Sequence, residues 1–155
     1  MSETVFNTFV IDRTYPAPVE RVFTAFADPE KRRRWFAEGH SHEVTAYETE
    51  FRVGGVEHVR YVLNDTTPFP GTPLESVGQY HDIVPNERIV MAGTMSFGDR
   101  RISSALLTIE LVPTDDGTNL VCTHQAAFFE GADGPQMREM GWQKLFDKLG
   151  DELGR

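Results

Sequence analysis

The chain has 155 residues, 39% apolar and 25% charged, the length and balance of one globular domain with a sizeable core. Its 24 acidic and 15 basic residues leave a formal net charge of −9, which argues against nucleic acid, whose phosphate backbone is held by clustered Lys and Arg. One cysteine, Cys122, excludes an internal disulfide and suits a reducing compartment. No apolar run approaches the roughly 20 residues that span a bilayer, and Met1-Ser2-Glu3-Thr4 lacks the basic-then-apolar pattern of a signal peptide. The expectation is a soluble cytoplasmic protein that engages neither nucleic acid nor membrane.

Val5 to Tyr15, rich in Val, Ile, Phe and Thr, predicts a first strand with Phe9, Ile11 and Arg13 on one face and Val10, Asp12 and Thr14 on the other. Pro16 and Pro18 end it. Pro18 also suits the first turn of a helix reaching Ala27, on which Val19, Val22, Phe23 and Phe26 recur at helical spacing. Asp28-Pro29 stops that helix and caps a shorter one, roughly Pro29 to Trp35. The basic run Lys31 to Arg34 reads as a solvated helix face rather than an anion site. His42 to Tyr47 and Val56 to Leu63 predict a hairpin with Gly54-Gly55 near the bend. Asn64 to Pro73 holds Pro68, Pro70, Gly71 and Pro73 and reads as a loop, too short for a domain linker and suited to a pocket rim. Strands follow at Leu74 to Val84, Arg88 to Ser96, Arg101 to Leu111 and Asn119 to Phe128. Pro85-Asn86, Phe97-Gly98-Asp99 and Asp115-Asp116-Gly117 supply the turns between them. Gly131 to Pro135 breaks the chain before the last helix, Gln136 to Leu153, whose Trp142, Leu145, Phe146 and Leu149 share one side. No internal repeat or low-complexity tract is present.

This order predicts an α+β helix-grip fold as a single domain over residues 1–155: about seven antiparallel strands, two short helices after the first, and one long C-terminal helix. A seven-stranded antiparallel sheet curls through its twist. A helix of about 17 residues, about 25 Å long, would plug the concavity without filling it.

Tyr15-Pro16-Ala17-Pro18-Val19, Val22-Phe23-Thr24-Ala25-Phe26, Asp28-Pro29-Glu30 and Trp35-Phe36 are followed in order by Phe51-Arg52-Val53-Gly54-Gly55, Pro85-Asn86-Glu87-Arg88-Ile89-Val90, Gly117-Thr118, Thr123-His124 and Gly141-Trp142. Together they resemble the Aha-type branch of the START/Bet v 1-like superfamily (SRPBCC), named for its likeness to the C-terminal domain of the activator of the heat-shock protein 90 ATPase. The resemblance covers nearly the whole chain. It implies a helix grip around a central, mostly apolar cavity, in a superfamily that includes lipid carriers, hormone receptors, polyketide cyclases and drug-sequestering proteins. Because the chain begins directly at the first strand, the N-terminal domain that eukaryotic activators use on the chaperone is not expected.

Strand alternation nominates the residues that face the helix. Glu57, Val59, Tyr61 and Leu63 form the more apolar parity of their strand, and His58 and Arg60 the other. Glu57 is then either a ligand anchor or general acid/base on a cavity wall, or a carboxylate at the sheet edge in water. Leu120, Cys122, His124 and Ala126 share a parity on the last strand. His124 is a core residue or a ligand donor able to meet Glu57 or Tyr61, and Cys122 reads as a small buried hydrophobe rather than a nucleophile. Trp35 and Phe36 either pack against the last helix or gate the mouth, and Trp142 and Phe146 are core residues that can also touch a ligand. Met91 and Met95, on one face with Gly93, suit an adaptable apolar pocket. His40 and His42 lack further ligands at a telling spacing, so no metal is expected. With no Ser-His-Asp order and no phosphate loop, no catalytic residue is assigned and no cofactor is expected.

The leading expectation is a binding protein for a small hydrophobic ligand, apolar or aromatic. A cyclase- or hydrolase-like enzyme using Glu57, Tyr61 and His124 in the same cavity is the alternative, and a chaperone-interacting module a further one. Ligand identity and oligomeric state do not follow from the sequence.

Overall fold

The first and last strands of the chain lie side by side. In the computed structural model, which describes residues 3–155, β1 (Val5–Tyr15) pairs antiparallel with β7 (Gly117–Phe128), from Val5↔Phe128 to Tyr15↔Thr118. With β2 (His42–Thr49), β3 (Val56–Leu63), β4 (Pro73–Val84), β5 (Arg88–Phe97) and β6 (Arg100–Thr114) they form one seven-stranded sheet in the order β1-β7-β6-β5-β4-β3-β2. Each strand from β2 to β7 neighbours the next, as short turns require. One connection crosses from edge to edge: α1 (Val19–Ala27), α2 (Pro29–Arg32) and a π-helical turn over Arg33–Ala37. Met1 and Ser2, part of the stretch read above for a leader, lie outside the described residues. Among the described residues no helix is long and apolar enough to cross a membrane.

The crossover departs from the single short helix expected over Pro29 to Trp35. Asp28 Oδ1 accepts from the backbone N–H of Glu30 at 2.9 Å and of Lys31 at 3.3 Å, capping α2 as its sequence suggests. The helix then widens, and the Glu38 N–H reaches back to the Arg33 carbonyl at 3.0 Å. Such π-turns recur at functional sites. Here the turn carries Trp35 and Ala37, each 1% exposed, inward beside Arg32 at 2%. The Trp35 Nε1–H donates to the Ala25 carbonyl at 2.8 Å, locking the turn onto α1.

Register shifts at Val44/Ala46, Tyr80/Asp82 and Met95/Ser96 mark bulges that bend the sheet. Into its concave side goes α3 (Pro135–Leu153), 19 residues and about 28 Å long. Phe146 and Leu149 are fully buried in the core formed with Phe9, Ile11, Ile109 and Leu120. The Tyr15 hydroxyl donates to the Phe146 carbonyl at 2.8 Å, and Arg13 pairs with Asp147 at 2.6 Å, so β1 fixes the depth and angle of the helix.

Two glycines face each other across β4 and β5, Gly78↔Gly93. A Cβ on Gly93 would come within 2.5 Å of the Val77 carbonyl oxygen and 2.9 Å of the Gly78 Cα, whereas one on Gly78 would meet first the mobile end of Met91, at 2.9 Å. Gly93→Ala is therefore expected to destabilise by about 1–3 kcal/mol through overpacking against backbone. Gly78→Ala is expected to stay within about 0.5 kcal/mol. Thermal denaturation of the two variants checks this, and equal midpoints would contradict the account of the close approach.

Candidate functional site

A carboxylate on the concave face of a sheet needs a cation, and the chain supplies one from the crossover. Glu57 on β3 and Arg32 at the end of α2 are each 2% exposed. Arg32 Nε donates to Glu57 Oε2 at 2.9 Å and Nη2 to Oε1 at 2.8 Å, a two-pronged pair, and the Tyr47 hydroxyl donates to Oε2 at 2.9 Å. The guanidinium lies 3.8 Å from the Phe36 ring centroid and 4.9 Å from that of Trp35. Burial alone would lower the Arg32 pKa, but Glu57 more than offsets it and the group stays charged. Burial and then the Glu57 charge push the Tyr47 pKa upward, so its hydroxyl keeps its proton.

Beside this pair lies a cavity of about 80 Å³, partly open to solvent. From the sheet it is bounded by Ser76 and Gly78 of β4, Met91, Gly93 and Met95 of β5, Ser103 and Leu107 of β6, and His124 of β7. Phe36 closes it from the π-turn, and Arg138 and Trp142 from α3. Arg138 is 7% exposed, held by Asp133 (Nε–Oδ2 2.8 Å, Nη2–Oδ1 2.8 Å) and by Ser103 Oγ at 3.0 Å, with its guanidinium 5.0 Å from the Phe128 centroid.

His124, 2% exposed, stacks flat on Phe9 with centroids 4.5 Å apart. Its Nδ1 has no hydrogen-bond partner among the described residues. Burial, reinforced by the positive charge of Arg138, lowers its pKa to about 4, so the ring is neutral near pH 7. His124 and Glu57 border the same cavity, but Glu57 accepts from Arg32 and Tyr47 rather than from His124.

Of the residues nominated from sequence, Phe36, Glu57, Met91, Met95, His124 and Trp142 border the cavity. The others sit in the layer packed around it. Trp35, Val59, Cys122 and Phe146 are buried at 1%, 3%, 0% and 0% exposure. Tyr61 lies against His42 with centroids 4.0 Å apart. Burial pushes the Cys122 thiol up to about 12, so it is protonated and poorly nucleophilic.

Two readings are corrected. Glu57 is not at a wet edge, and the run Lys31 to Arg34 is not wholly a solvated face: Arg32 is interior, Arg34 pairs with Glu152 at 2.7 Å and Arg33 with Glu38 at 3.0 Å. The inward carboxylate was itself the signal that one of these cations turns in. Arg138, overlooked in the sequence, also had a signal. It lies four residues before Trp142 and eight before Phe146, so it extends their stripe along α3. The exposed lining is mostly apolar, as expected, but two arginines, a glutamate, a histidine and serines contribute polar groups to it.

Two outcomes follow from this geometry. Removing one partner of the buried pair, by Glu57→Leu or Arg32→Met, is expected to cost about 3–5 kcal/mol, and the double variant to recover most of it. Urea denaturation of the three variants checks this, and a double variant as weak as the singles would contradict it. For His124 the folded pKa of about 4 lies below the unfolded value of about 6.5. The unfolded state therefore takes up the proton first. The stability associated with the neutral ring is present above about pH 6.5 and is lost as pH falls toward 4, at about 1.4 kcal/mol per pH unit. His124→Phe should remove that component, seen as a shallower stability-versus-pH curve, and parallel curves would contradict it.

This geometry stands on a fold shared with known proteins. The model of the Activator of Hsp90 ATPase homolog 1-like protein family matches residues 16–154. The solved Mll3558 protein from Rhizobium loti is 39% identical, with a TM-score of 0.87, 97% of this chain and 99% of that chain being covered. A solved protein from Rhizobium leguminosarum is 34% identical with a TM-score of 0.91, over 100% of this chain and 99% of that one. The AHSA1-like protein from Aeromonas hydrophila, at 17% identity and a TM-score of 0.67, covering 96% of this chain and 92% of its own, shares the fold. No curated protein matches. The chain belongs to the Activator of Hsp90 ATPase homolog 1-like family.

Proposed function

We propose that this chain is a cytoplasmic small-molecule binding protein that takes a ligand with an apolar or aromatic body into the cavity between α3 and the sheet. The observation that carries the reading is a cavity of about 80 Å³ whose wall combines Phe36, Leu107 and Trp142 with Arg32, Arg138 and the His124 ring.

The size of the cavity limits the ligand. A cavity of about 150 Å³ holds benzene, so a whole aromatic ring requires the walls to give. Met91 and Met95, flexible thioethers, are the side chains best able to do so, or the ligand leaves part of itself at the open side. The enzyme alternative draws little support from the site: Glu57 already accepts three hydrogen bonds from Arg32 and Tyr47, and Cys122 is held protonated.

A second reading, a module that contacts a chaperone, is favoured by the outward face of β1, where Phe6 is 79% and Val10 56% exposed. Retention on immobilised heat-shock protein 90 would support that reading, and no retention would discard it. For the first reading, native mass spectrometry of the purified protein is expected to detect a co-purified small molecule. The adduct should be lost in Gly78→Leu, which fills the cavity from its glycine wall. An adduct carried equally by both proteins would place the ligand elsewhere.

A further inference from the structure

Two arginines of the cavity wall, Arg32 and Arg138, are engaged in the same lopsided way. Arg32 spends Nε and Nη2 on Glu57, and Nη2 also lies 4.0 Å from Met91 Sδ. Arg138 spends Nε and Nη2 on Asp133 and Ser103. A guanidinium presents five N–H donors in a rigid fork. In both residues the remaining donors, the two N–H groups of Nη1, have no hydrogen-bond partner among the described residues. Both side chains border the same cavity, at 2% and 7% exposure. Ser103 Oγ accepts from Arg138, so its own hydrogen is free to donate as well.

Acceptors are scarcer on this wall. Both Glu57 oxygens already accept hydrogen bonds, and the other side-chain acceptors of the lining are the His124 ring and the Ser76, Thr94 and Ser103 hydroxyls. The formal charges cancel: each guanidinium has its carboxylate and His124 is neutral near pH 7. A carboxylate ligand would therefore enter as an uncompensated anion in a low-dielectric space. An ammonium ligand would meet donors with donors.

We propose that the ligand carries an uncharged acceptor oxygen, a carbonyl above all, held by the Nη1 groups of Arg138 and Arg32, with its apolar remainder against Phe36, Leu107 and Trp142. This rests on the reading of the cavity as a small-molecule site and narrows it to a chemical class.

Four probes sharing one five-membered ring test it: cyclopentanone, methylcyclopentane, cyclopentanecarboxylate and cyclopentylammonium, all at least about as bulky as benzene, so that each draws on the same yielding of the Met91 and Met95 side chains. Each is titrated at pH 7.5 into the full chain, with the side-chain N–H resonances of the arginines followed by NMR. The expected result is saturable binding of cyclopentanone, at least tenfold tighter than the carboxylate and the ammonium and tighter than methylcyclopentane. Arg138→Lys keeps the charge opposite Asp133 but loses the fork, and should reduce cyclopentanone affinity at least fivefold while leaving methylcyclopentane unchanged. A carboxylate or ammonium binding as tightly as the ketone, or a ketone no tighter than methylcyclopentane, overturns the inference and leaves the cavity reading intact. Failure of all four probes to bind overturns both. The comparison among probes on the unsubstituted protein stands even if the variant does not fold.

Discussion

A guanidinium and a carboxylate, both shut away from water, hold the helical crossover onto the sheet. Arg32 and Glu57 are 25 residues apart in sequence, one at the end of α2 and the other on β3. Desolvating two charges costs several kcal/mol per ion, and apolar side chains of similar volume would often stabilise the fold as well or better. The pair therefore contributes position more than stability. It fixes α2 and the π-turn against β3 and holds Phe36 at the cavity wall. It also places a charged plane where an apolar cluster would otherwise close in.

The rest of the interior follows from that plane. On one side Arg32, Met91 and Leu107 border the cavity of about 80 Å³; on the other the same three meet Phe26, Phe51, Tyr80, Ile89 and Ile109 around a void of about 10 Å³, room for about one water. The interior is thus divided unequally, packed on the side of α1 and open on the side where α3 begins. Gly78 and Gly93 keep the open side open, because two facing residues of the sheet carry no side chain there. Below this level α3 is bound tightly, through Phe146, Leu149 and the Tyr15 hydrogen bond. The hollow is a local feature of a well-packed domain.

Most of the architecture was legible because it rests on local signals. Period-two alternation in β1 and β3 gave their limits as observed, and proline, glycine and asparagine marked the turns between later strands. Parity then told which way Glu57 and His124 face. What the sequence concealed were interactions between distant elements. The burial of Arg32 depends on Glu57, which no local pattern links to it, and a basic run looks alike whether one member turns in or none does. The π-turn escaped because its wider hydrogen bonding is dictated by tertiary burial of Trp35 and Ala37 rather than by propensity. Cys122 and Phe146 show the converse limit: alternation and helical spacing say that a side chain faces inward, but not whether it meets a cavity or another side chain.

Paired charges and missing side chains keep a space with several hydrogen-bond donors open between α3 and the sheet. Crystallographic electron density at high resolution for the ligand-free protein tests it most directly. Ordered water is expected within hydrogen-bond distance of Nη1 of Arg138 and of the His124 ring. An interior in which Met91 or Trp142 has swung across to contact Gly93, leaving no density between them, would contradict it.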